Sequence, residues 1–463
     1  MNIILEDLLK IGCVHTRNTE SLKGFFCAGV STDTRTLKAG EVFFALRGES
    51  LDGHEFVGKA FSRGAVCAVV EQGINLDAFS GKSIIVVDDT TKALGKLASV
   101  YRRKFDIPVI AVAGSNGKTT TKEMISAVLR TQLNVLSTQG NLNNHIGVPL
   151  TLFRLEQRHD IAVVEIGTNH YGELQYLCEV LTPTHGVITN IGHEHMEFLK
   201  NIDGVAQAEG ELFDAIASAG VGYVNMDDKR VAEQSVKLDN KITFGFSNST
   251  LDVRGTMLTI NSDGCISFLI ESKEKEKIKV QLSVPGKHMM YNGLTAAAVG
   301  FSRGIQAVNI QKALEQFTAV GKRTETVKTG GVIIIDDSYN ANPDSVWSAL
   351  ETLSLMQSKG KKIVVLGDML ELGAASVDEH KKIGTILAHI GFEYLLTYGP
   401  TAKHISENAK IKINRHFELK QDLTTYLVEL VKPGDIVLVK GSRGMRMEDV
   451  VTFLHEKLDQ TAL

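Results

Sequence analysis

The sequence predicts an α/β chain of three domains, and three observations carry that prediction. The apolar run Val109-Ile-Ala-Val-Ala113 ends in Gly114-Ser-Asn-Gly117, and Lys118-Thr119 open a stretch whose apolar residues Met124, Ile125, Val128 and Leu129 recur at helical spacing. From there to about residue 320, strand-like and helix-like segments alternate, and they alternate again after Gly321, the pattern of parallel sheets wound with helices. At roughly 150 residues per domain, 463 residues make about three domains, each long enough to bury a core. The expected division is a small N-terminal α/β domain (1–88), a central doubly wound parallel sheet with a phosphate loop (89–318) and a C-terminal Rossmann-like α/β domain (319–463).

Composition narrows the function classes. A formal net charge of −4 gives no electrostatic reason to bind nucleic acid or an acidic membrane surface. The five cysteines (Cys13, Cys27, Cys67, Cys178 and Cys265) lie far apart without a Cys-x-x-Cys pair, which argues against a disulfide framework and a thiolate zinc site. No segment reaches the ~18 consecutive apolar residues of a membrane span. The start, Met1-Asn-Ile-Ile-Leu-Glu-Asp7, lacks the basic stretch of a secretory leader. The expected location is the cytoplasm.

In chain order, the first domain offers short strands at 42–46, 65–70 and 84–87. Its polar loops Ser31-Thr-Asp-Thr-Arg35 and Gly48-Glu-Ser-Leu-Asp-Gly-His54 either simply turn the chain or hydrogen-bond a sugar nucleotide. Residues 90–105 read as a helix through Leu94, Leu97, Ala98 and Tyr101, stopped ahead of Pro108. Central strands follow at 161–166, 186–190 and 221–225, with helices near 120–131, 171–180 and 203–218. Residues 241–284 change to strand-like runs with a turn at Asn261-Ser-Asp-Gly264, an antiparallel excursion whose charged run 271–277 is a solvated hairpin tip. The last domain has strands at 332–336, 362–367, 394–398 and 435–440.

The chemistry gathers at strand ends. A strand, a glycine-rich turn and a helix start make an anion site, because backbone N–H groups and the helix dipole face a phosphate that no bulky side chain blocks. Lys118 adds a charge for the β- and γ-phosphates and the Thr119 hydroxyl is placed for Mg²⁺, although Val112 stands where the full phosphate-loop motif has glycine. Glu165 closes an apolar strand beside this loop, a place from which a carboxylate holds the metal of ATP. His193 and His195, in Thr189-Asn-Ile-Gly-His-Glu-His195, lack the further ligands of a zinc site, and one of them suits the neighbourhood of a second Mg²⁺. Asn141-Leu-Asn-Asn-His145 suits phosphate or substrate hydrogen bonds. Asp336-Asp-Ser-Tyr-Asn-Ala-Asn342 brings two acids to a strand end within reach of a ribose, and Lys440-Gly-Ser-Arg443 brings two cations suited to an anionic group.

Taken together, these stretches resemble the Mur ligase family over nearly the whole chain. Ser31–Arg35 with Phe43-Phe-Ala-Leu-Arg-Gly48 resembles its uridine-nucleotide region, and Gly114-Ser-Asn-Gly-Lys-Thr-Thr120 its shortened phosphate loop. Asn141 to Pro149, Glu165-Ile-Gly-Thr-Asn169, the Asp336–Asn342 stretch, Leu366 to Gly373 and Val439 to Arg443 continue the likeness in order. The resemblance implies an ATP-dependent amide ligase of peptidoglycan precursor synthesis. It would join D-alanyl-D-alanine to the terminal carboxylate of UDP-N-acetylmuramoyl-tripeptide through an acyl phosphate, as a monomer using ATP and Mg²⁺.

By the same resemblance, Gly114, Ser115, Asn116, Gly117, Lys118, Thr119 and Thr120 bind ATP, with Asn292 at the adenine and Arg323 and Asp337 closing from the third domain. Thr119, Glu165, His195 and Glu209 serve metal, and Lys118, His195 and Glu209 serve catalysis. Ser31, Asp33, Thr34, Arg35, Gly48, Asn141, Asn144, His145, Asn340, Asn342, Lys440, Ser442 and Arg443 fall at substrate positions. One departure stands out: Glu209 occupies the place of a lysine that the family commonly carbamylates. Either it supplies the carboxylate directly or it is a helix-surface acid. Two rivals share parts of the pattern. A folate polyglutamylating ligase leaves the first ~88 residues unexplained, and a nucleotide switch leaves the polar strand ends of the third domain without a use.

Overall fold

A computed structural model describes residues 3–247 and 250–461; Met1 and Asn2, the first residues of the Met1–Asp7 stretch, lie outside these. Among the described residues the strands form three sheets of five, nine and six. The first contains β1 (Cys13–Arg17), β2 (Gly29–Ser31), β3 (Glu41–Phe44), β4 (Cys67–Glu71) and β5 (Ile84–Val87), in the order β1-β5-β4-β3-β2. Only β1 runs antiparallel to its neighbour. The second holds β6 (Val109–Ala113), β7 (Val135–Ser137), β8 (Ile161–Glu165), β9 (His185–Ile188), β10 (Val221–Asn225), β11 (Asn240–Gly245), β12 (Val253–Ile260), β13 (Cys265–Ser272) and β14 (Lys277–Pro285). Their order is β14-β13-β12-β11-β10-β9-β6-β8-β7. The third holds β15 (Glu325–Thr329), β16 (Val332–Asp337), β17 (Lys362–Gly367), β18 (Tyr394–Tyr398), β19 (Ile413–Phe417) and β20 (Ile436–Lys440), ordered β15-β16-β20-β17-β18-β19.

The central strand explains why this chain builds a doubly wound sheet. All five residues of β6 are buried, as they must be where helices cover both faces of a parallel sheet. Alternation then splits them: Val109, Ala111 and Ala113 join one core, and Ile110 and Val112 join another. Each Val or Ile so buried contributes roughly 1.5–3 kcal/mol of transfer free energy. On the second face, the helix Lys118–Leu129 packs against the helix His288–Ser302. Small residues permit the approach, since a Cβ on Gly300 would lie 2.7 Å from Cγ1 of Val128. That packing brings Asn292 to the phosphate loop.

Two parts of the reading need correction. The segment 241–284 is not antiparallel throughout: β11 extends the parallel sheet beside β10, and β12 starts parallel to β11. Only the β12–β13 and β13–β14 pairings run antiparallel. The strands β1, β2, β7, β15 and β19 went unread because they are short or half-exposed. In β1, for example, Val14, His15 and Thr16 all face solvent, so no alternation marks it. The 271–277 charge run does form the tip between β13 and β14. No helix among the described residues is long and apolar enough to cross a membrane.

Candidate active site

The carboxyl ends of β6, β8 and β9 open into a cleft of about 1270 Å³, walled on its far side by residues from the third sheet's loops. The phosphate loop enters this cleft lying on the loop that follows β9. The Ser115 N–H donates to the Asn190 carbonyl (2.9 Å), the Asn116 N–H to Asn190 Oδ1 (3.0 Å), and the Thr189 hydroxyl to the Asn116 carbonyl (2.7 Å). Gly114 has φ +114, and a Cβ there would meet the backbone N of Thr189 at 2.7 Å, so only glycine turns the chain this tightly. Gly117, at φ +78, precedes the helix Lys118–Leu129 without a side-chain cap.

This geometry refines the expected anion site. The N–H groups of Gly114, Ser115 and Asn116 are taken by Glu209, the Asn190 carbonyl and Asn190 Oδ1, respectively. What is left to grip a phosphate is the first helical turn, the N–H groups of Lys118, Thr119 and Thr120, which have no intrahelical partner. Asn292 stands over the turn; its Oδ1 accepts from the Thr121 hydroxyl (3.1 Å), and a Cβ on Gly117 would lie 3.0 Å from it.

Two carboxylate sites flank Lys118. On one side Glu165 is fully partnered: Oε2 accepts from the Thr119 hydroxyl (2.7 Å) and Oε1 from Asn143 Nδ2 (2.9 Å). Its backbone N–H donates to the Thr138 hydroxyl (2.9 Å), and the buried Lys122 ammonium holds the Thr138 carbonyl (2.8 Å). On the other side lie Glu194 and Glu209, 7% and 1% exposed. Glu209 is therefore not a surface acid. Its Oε2 accepts from the Gly114 N–H at 2.7 Å, while its Oε1 and the Oε1 of Glu194 are buried without partners.

Burial pushes the Glu194 carboxyl up to about 7, against the pull of Lys118 and with the push of Glu209. Burial raises Glu209 as well, opposed by Lys118 and by the Gly114 N–H. For Lys118, desolvation works against the charge, but Glu194, Glu209 and Glu165 outweigh it and its pKa is raised. Its ammonium lies 2.5 Å from the Gly114 carbonyl and 3.3 Å from Glu194 Oε2, folded back along its own loop. His195 lies with Nε2 3.7 Å from Glu194 Oε2 and Nδ1 2.6 Å from Glu371 Oε2. Among the described residues, no three His, Cys, Asp or Glu side chains converge on one metal position.

The far wall is less open than its sequence implied. Asn340 and Asn342 line the cleft, and Asn342 Nδ2 donates to Asn116 Oδ1 across it (3.0 Å). Lys440 is buried and paired with Asp337 (2.7 Å), while its ammonium also donates to the Asn340 carbonyl (2.8 Å). Arg323 lies over the Tyr339 ring at 3.9 Å and faces the cleft. Ser442 and Arg443 are not on the cleft wall: the Ser442 hydroxyl braces the Ala341 carbonyl (3.0 Å), and Arg443 points to Glu448 (3.5 Å). The expected pair of free cations at this strand end is therefore one neutralised lysine and one outlying arginine.

Asn144 and His145 line the cleft, but Asn144 Oδ1 also caps Gly147 (2.9 Å), and Asn141 lies off the wall. Ser31, Asp33, Thr34, Arg35 and Gly48 form no part of this cavity. Arg35 grips Asp33 (2.7 Å) and holds its carboxyl below the usual range, Arg63 binds the Thr34 carbonyl (2.6 Å), and Gly48 closes a turn onto Leu51 (2.9 Å). His54 is structural, with Nδ1 on Asp52 (2.5 Å) and Nε2 accepting from the Glu71 N–H (2.9 Å). Sequence reasoning missed Asn143, Thr189, Asn190, Glu194 and Glu371. All five lie inside stretches already quoted, and their place at or just beyond a strand end was the available signal.

Comparison with known proteins agrees with this architecture. Residues 27–114 match the family model described as "Mur ligase family, catalytic domain", 112–300 "Mur ligase middle domain", and 322–443 "Mur ligase, glutamate ligase domain". The UDP-N-acetylmuramoyl-tripeptide–D-alanyl-D-alanine ligase of Bacillus subtilis is 36% identical, covering 92% of this chain and 93% of its own. The ligase of the same name from Escherichia coli is 35% identical, over 92% and 93%. Among solved structures, MurF from Acinetobacter baumannii aligns with a TM-score of 0.90 at 30% identity, over 98% of this chain and 99% of that one. MurF ligase from Thermotoga maritima, solved in complex with ADP, aligns at 0.84 and 26% identity, over 94% and 99%.

Proposed function

The chain belongs to the Mur ligase family, and from that premise we infer the reaction it runs. It is an ATP-dependent ligase that joins D-alanyl-D-alanine to the terminal carboxylate of UDP-N-acetylmuramoyl-tripeptide in peptidoglycan precursor synthesis. The observation that carries this reading is the facing of two walls: the Gly114–Thr120 turn and helix start on one, and the Asp336–Asn342 stretch on the other, joined by Asn342 and Asn116.

The steps follow from charge. A carboxylate oxygen of the tripeptide attacks the γ-phosphorus of ATP and the bond to the β-phosphate oxygen breaks, giving an acyl phosphate and ADP. The amine of D-alanyl-D-alanine then attacks the acyl carbon, phosphate leaves, and the nitrogen loses its proton. Both anions must meet, so stabilising negative charge matters more than a strong acid or base. The first-turn N–H groups hold the phosphates, and Lys118 moves from its own loop carbonyls onto them. Asn292, Arg323 and Asp337 hold the nucleotide, while Asn340, Asn342, Asn144, His145 and Lys440 orient the acceptor side. Ser442 braces that wall from behind.

Mg²⁺ fits the chain's donors. Two buried carboxylate oxygens without partners, on Glu194 and Glu209, sit beside Lys118 where a cation satisfies them. Mg²⁺ typically takes one or two carboxylates and fills the rest of its shell with phosphate and water, so a three-side-chain cage is not required. We assign Thr119 and Glu165 to one ion, and His195 and Glu209 to a second; ions held there would neutralise charge on the transferring phosphoryl group. Because Glu209 already presents a carboxylate, carbamylation is unnecessary, and adding bicarbonate to CO₂-depleted enzyme is expected to leave the rate unchanged.

Residues 1–88 are assigned to the UDP-sugar, with Ser31, Asp33, Thr34, Arg35, Gly48 and Asn141 as contacts; 89–318 to ATP; and 319–463 to closure and the dipeptide. We take the enzyme as a monomer, and the need for ATP fits a cytoplasmic reaction. The test is mass spectrometry of a reaction with ATP, Mg²⁺, the tripeptide nucleotide and D-alanyl-D-alanine. The pentapeptide nucleotide is expected, with phosphate released only when both acceptors are present. Phosphate release without them, or glutamate transfer to folate instead, would overturn the reading.

A further inference from the structure

The loop after β9 meets the third unit through two histidines. The His193 N–H donates to Asp344 Oδ2 at 2.5 Å and its Nδ1 lies 3.1 Å from the same oxygen. Two residues on, His195 Nδ1 lies 2.6 Å from Glu371 Oε2, in close contact without hydrogen-bond alignment. The ring's other nitrogen points inward, 3.7 Å from Glu194 Oε2. The backbones are also joined, since the Glu197 N–H donates to the Glu371 carbonyl at 3.2 Å. The fit is close: Gly373 has φ +54, and a Cβ there would lie 3.0 Å from Cα of Glu197.

Both partners hold unusual backbone conformations, His195 at φ +47 and Glu371 at φ +63. Left-handed residues with a Cβ cost on the order of 1–2 kcal/mol each, so the contact persists against local preference. The Glu371 loop is in turn tied to the cleft wall. The Met369 N–H donates to His380 Nε2 (3.0 Å), the Leu370 N–H to the Ser442 hydroxyl (2.8 Å), and that hydroxyl to the Ala341 carbonyl (3.0 Å) between Asn340 and Asn342. A continuous path therefore runs from the acceptor wall through Glu371 to His195.

We propose that Glu371 is a positioning residue for His195: its carboxylate, carried by the third unit, fixes Nδ1 so that Nε2 faces the Glu194–Glu209 pair. The second cation site is then complete only while the third unit is docked on the 193–197 loop. A histidine that binds metal through one nitrogen is generally oriented by a carboxylate or carbonyl on the other, and losing that partner costs about 10- to 100-fold in metal affinity. Here the orienting group comes from the unit that carries the acceptor wall, so docking and metal readiness rise together. The inference rests on the ligase reading above, through the cation site assigned there.

The test measures Mn²⁺ binding by electron paramagnetic resonance of the free ion, with a nonhydrolysable ATP analogue present and no turnover. Full-length wild type, E371Q, E371D and D344N are compared, with thermal melts to establish folding and analogue binding measured separately in EDTA. E371Q is expected to weaken Mn²⁺ binding by about 10- to 100-fold with metal-free analogue binding unchanged, and E371D to retain most of the affinity. D344N, which cuts the other bridge, is expected to leave Mn²⁺ affinity near wild type. Wild-type Mn²⁺ affinity in E371Q overturns the proposal, as does equal loss in D344N, which would make Glu371 a docking contact alone. A wild type that binds no analogue would overturn the ligase reading itself, a distinct result.

Discussion

The two carboxylate sites beside Lys118 are built from the same side chain and finished differently. Glu165 has both oxygens satisfied by Thr119 and Asn143, and its strand end is braced through Thr138 by Lys122. Glu194 and Glu209 are as deeply buried, yet each keeps an oxygen with no partner. A buried acceptor without a donor costs about 1–3 kcal/mol. The first site is thus relaxed before any ligand arrives, whereas the second carries a penalty that a cation relieves. Lys118, leaning on the second site, partly stands in for that cation.

Removing Lys118 should break the contrast most forcefully, because it serves both sites. Lys118→Met is expected to cut kcat by about 10²- to 10³-fold, the usual loss when one group that stabilises transition-state charge is deleted, as read by phosphate release. Next in size is Gly114→Ala. Its Cβ would run into the backbone of Thr189 and Asn190 at 2.7 and 3.0 Å, at a φ of +114. The expected loss of stability is about 1–3 kcal/mol, measured by urea unfolding, and unchanged stability would mean that the turn tolerates a shift.

A paired substitution sharpens the comparison directly. Glu165→Gln must turn one amide donor toward Thr119 or Asn143, and should cost about 1 kcal/mol. Glu209→Gln keeps an oxygen for the Gly114 N–H and removes a poorly compensated buried charge, so metal-free stability should hold or rise. Equal losses in the two melts would show that the sites do not differ as drawn.

How much of this was legible depends on what each residue's signal was made of. The phosphate loop announces itself in sequence because strand, glycines and lysine are contiguous, and β6 reads as buried because all five residues are apolar. Glu165 was readable as an acid ending an apolar run beside the phosphate loop. Glu194 and Glu371 were not, since their roles arise from contacts made at sequence distances that no local pattern encodes: 76 residues to Lys118 for one, and a different sheet altogether for the other. Lys440 misled for the same reason. Its position at a strand end was read correctly, but its charge is spent on Asp337, the neighbour opposite it in β16.

The smallest expected effect tests the electrostatics of the second site. The Glu194 carboxyl rises to about 7, chiefly through burial and in spite of Lys118, so between its ordinary value and about 7 the folded chain holds a proton that the unfolded chain has released. Its contribution to stability is complete below its unfolded pKa and is lost as pH rises through about 7. In buffer with EDTA, the melting temperature of the wild type should therefore fall by about 2–4 °C from pH 5.5 to 8 relative to Glu194→Gln, the shift that about 1 kcal/mol produces in a unit of this size. Adding Mg²⁺ with nucleotide should flatten the wild-type slope, because a cation favours the ionised carboxylates that burial alone opposes. If the wild-type and Glu194→Gln slopes coincide in EDTA, Lys118 already compensates the pair in full, and the distinction between a relaxed and an unsatisfied site disappears.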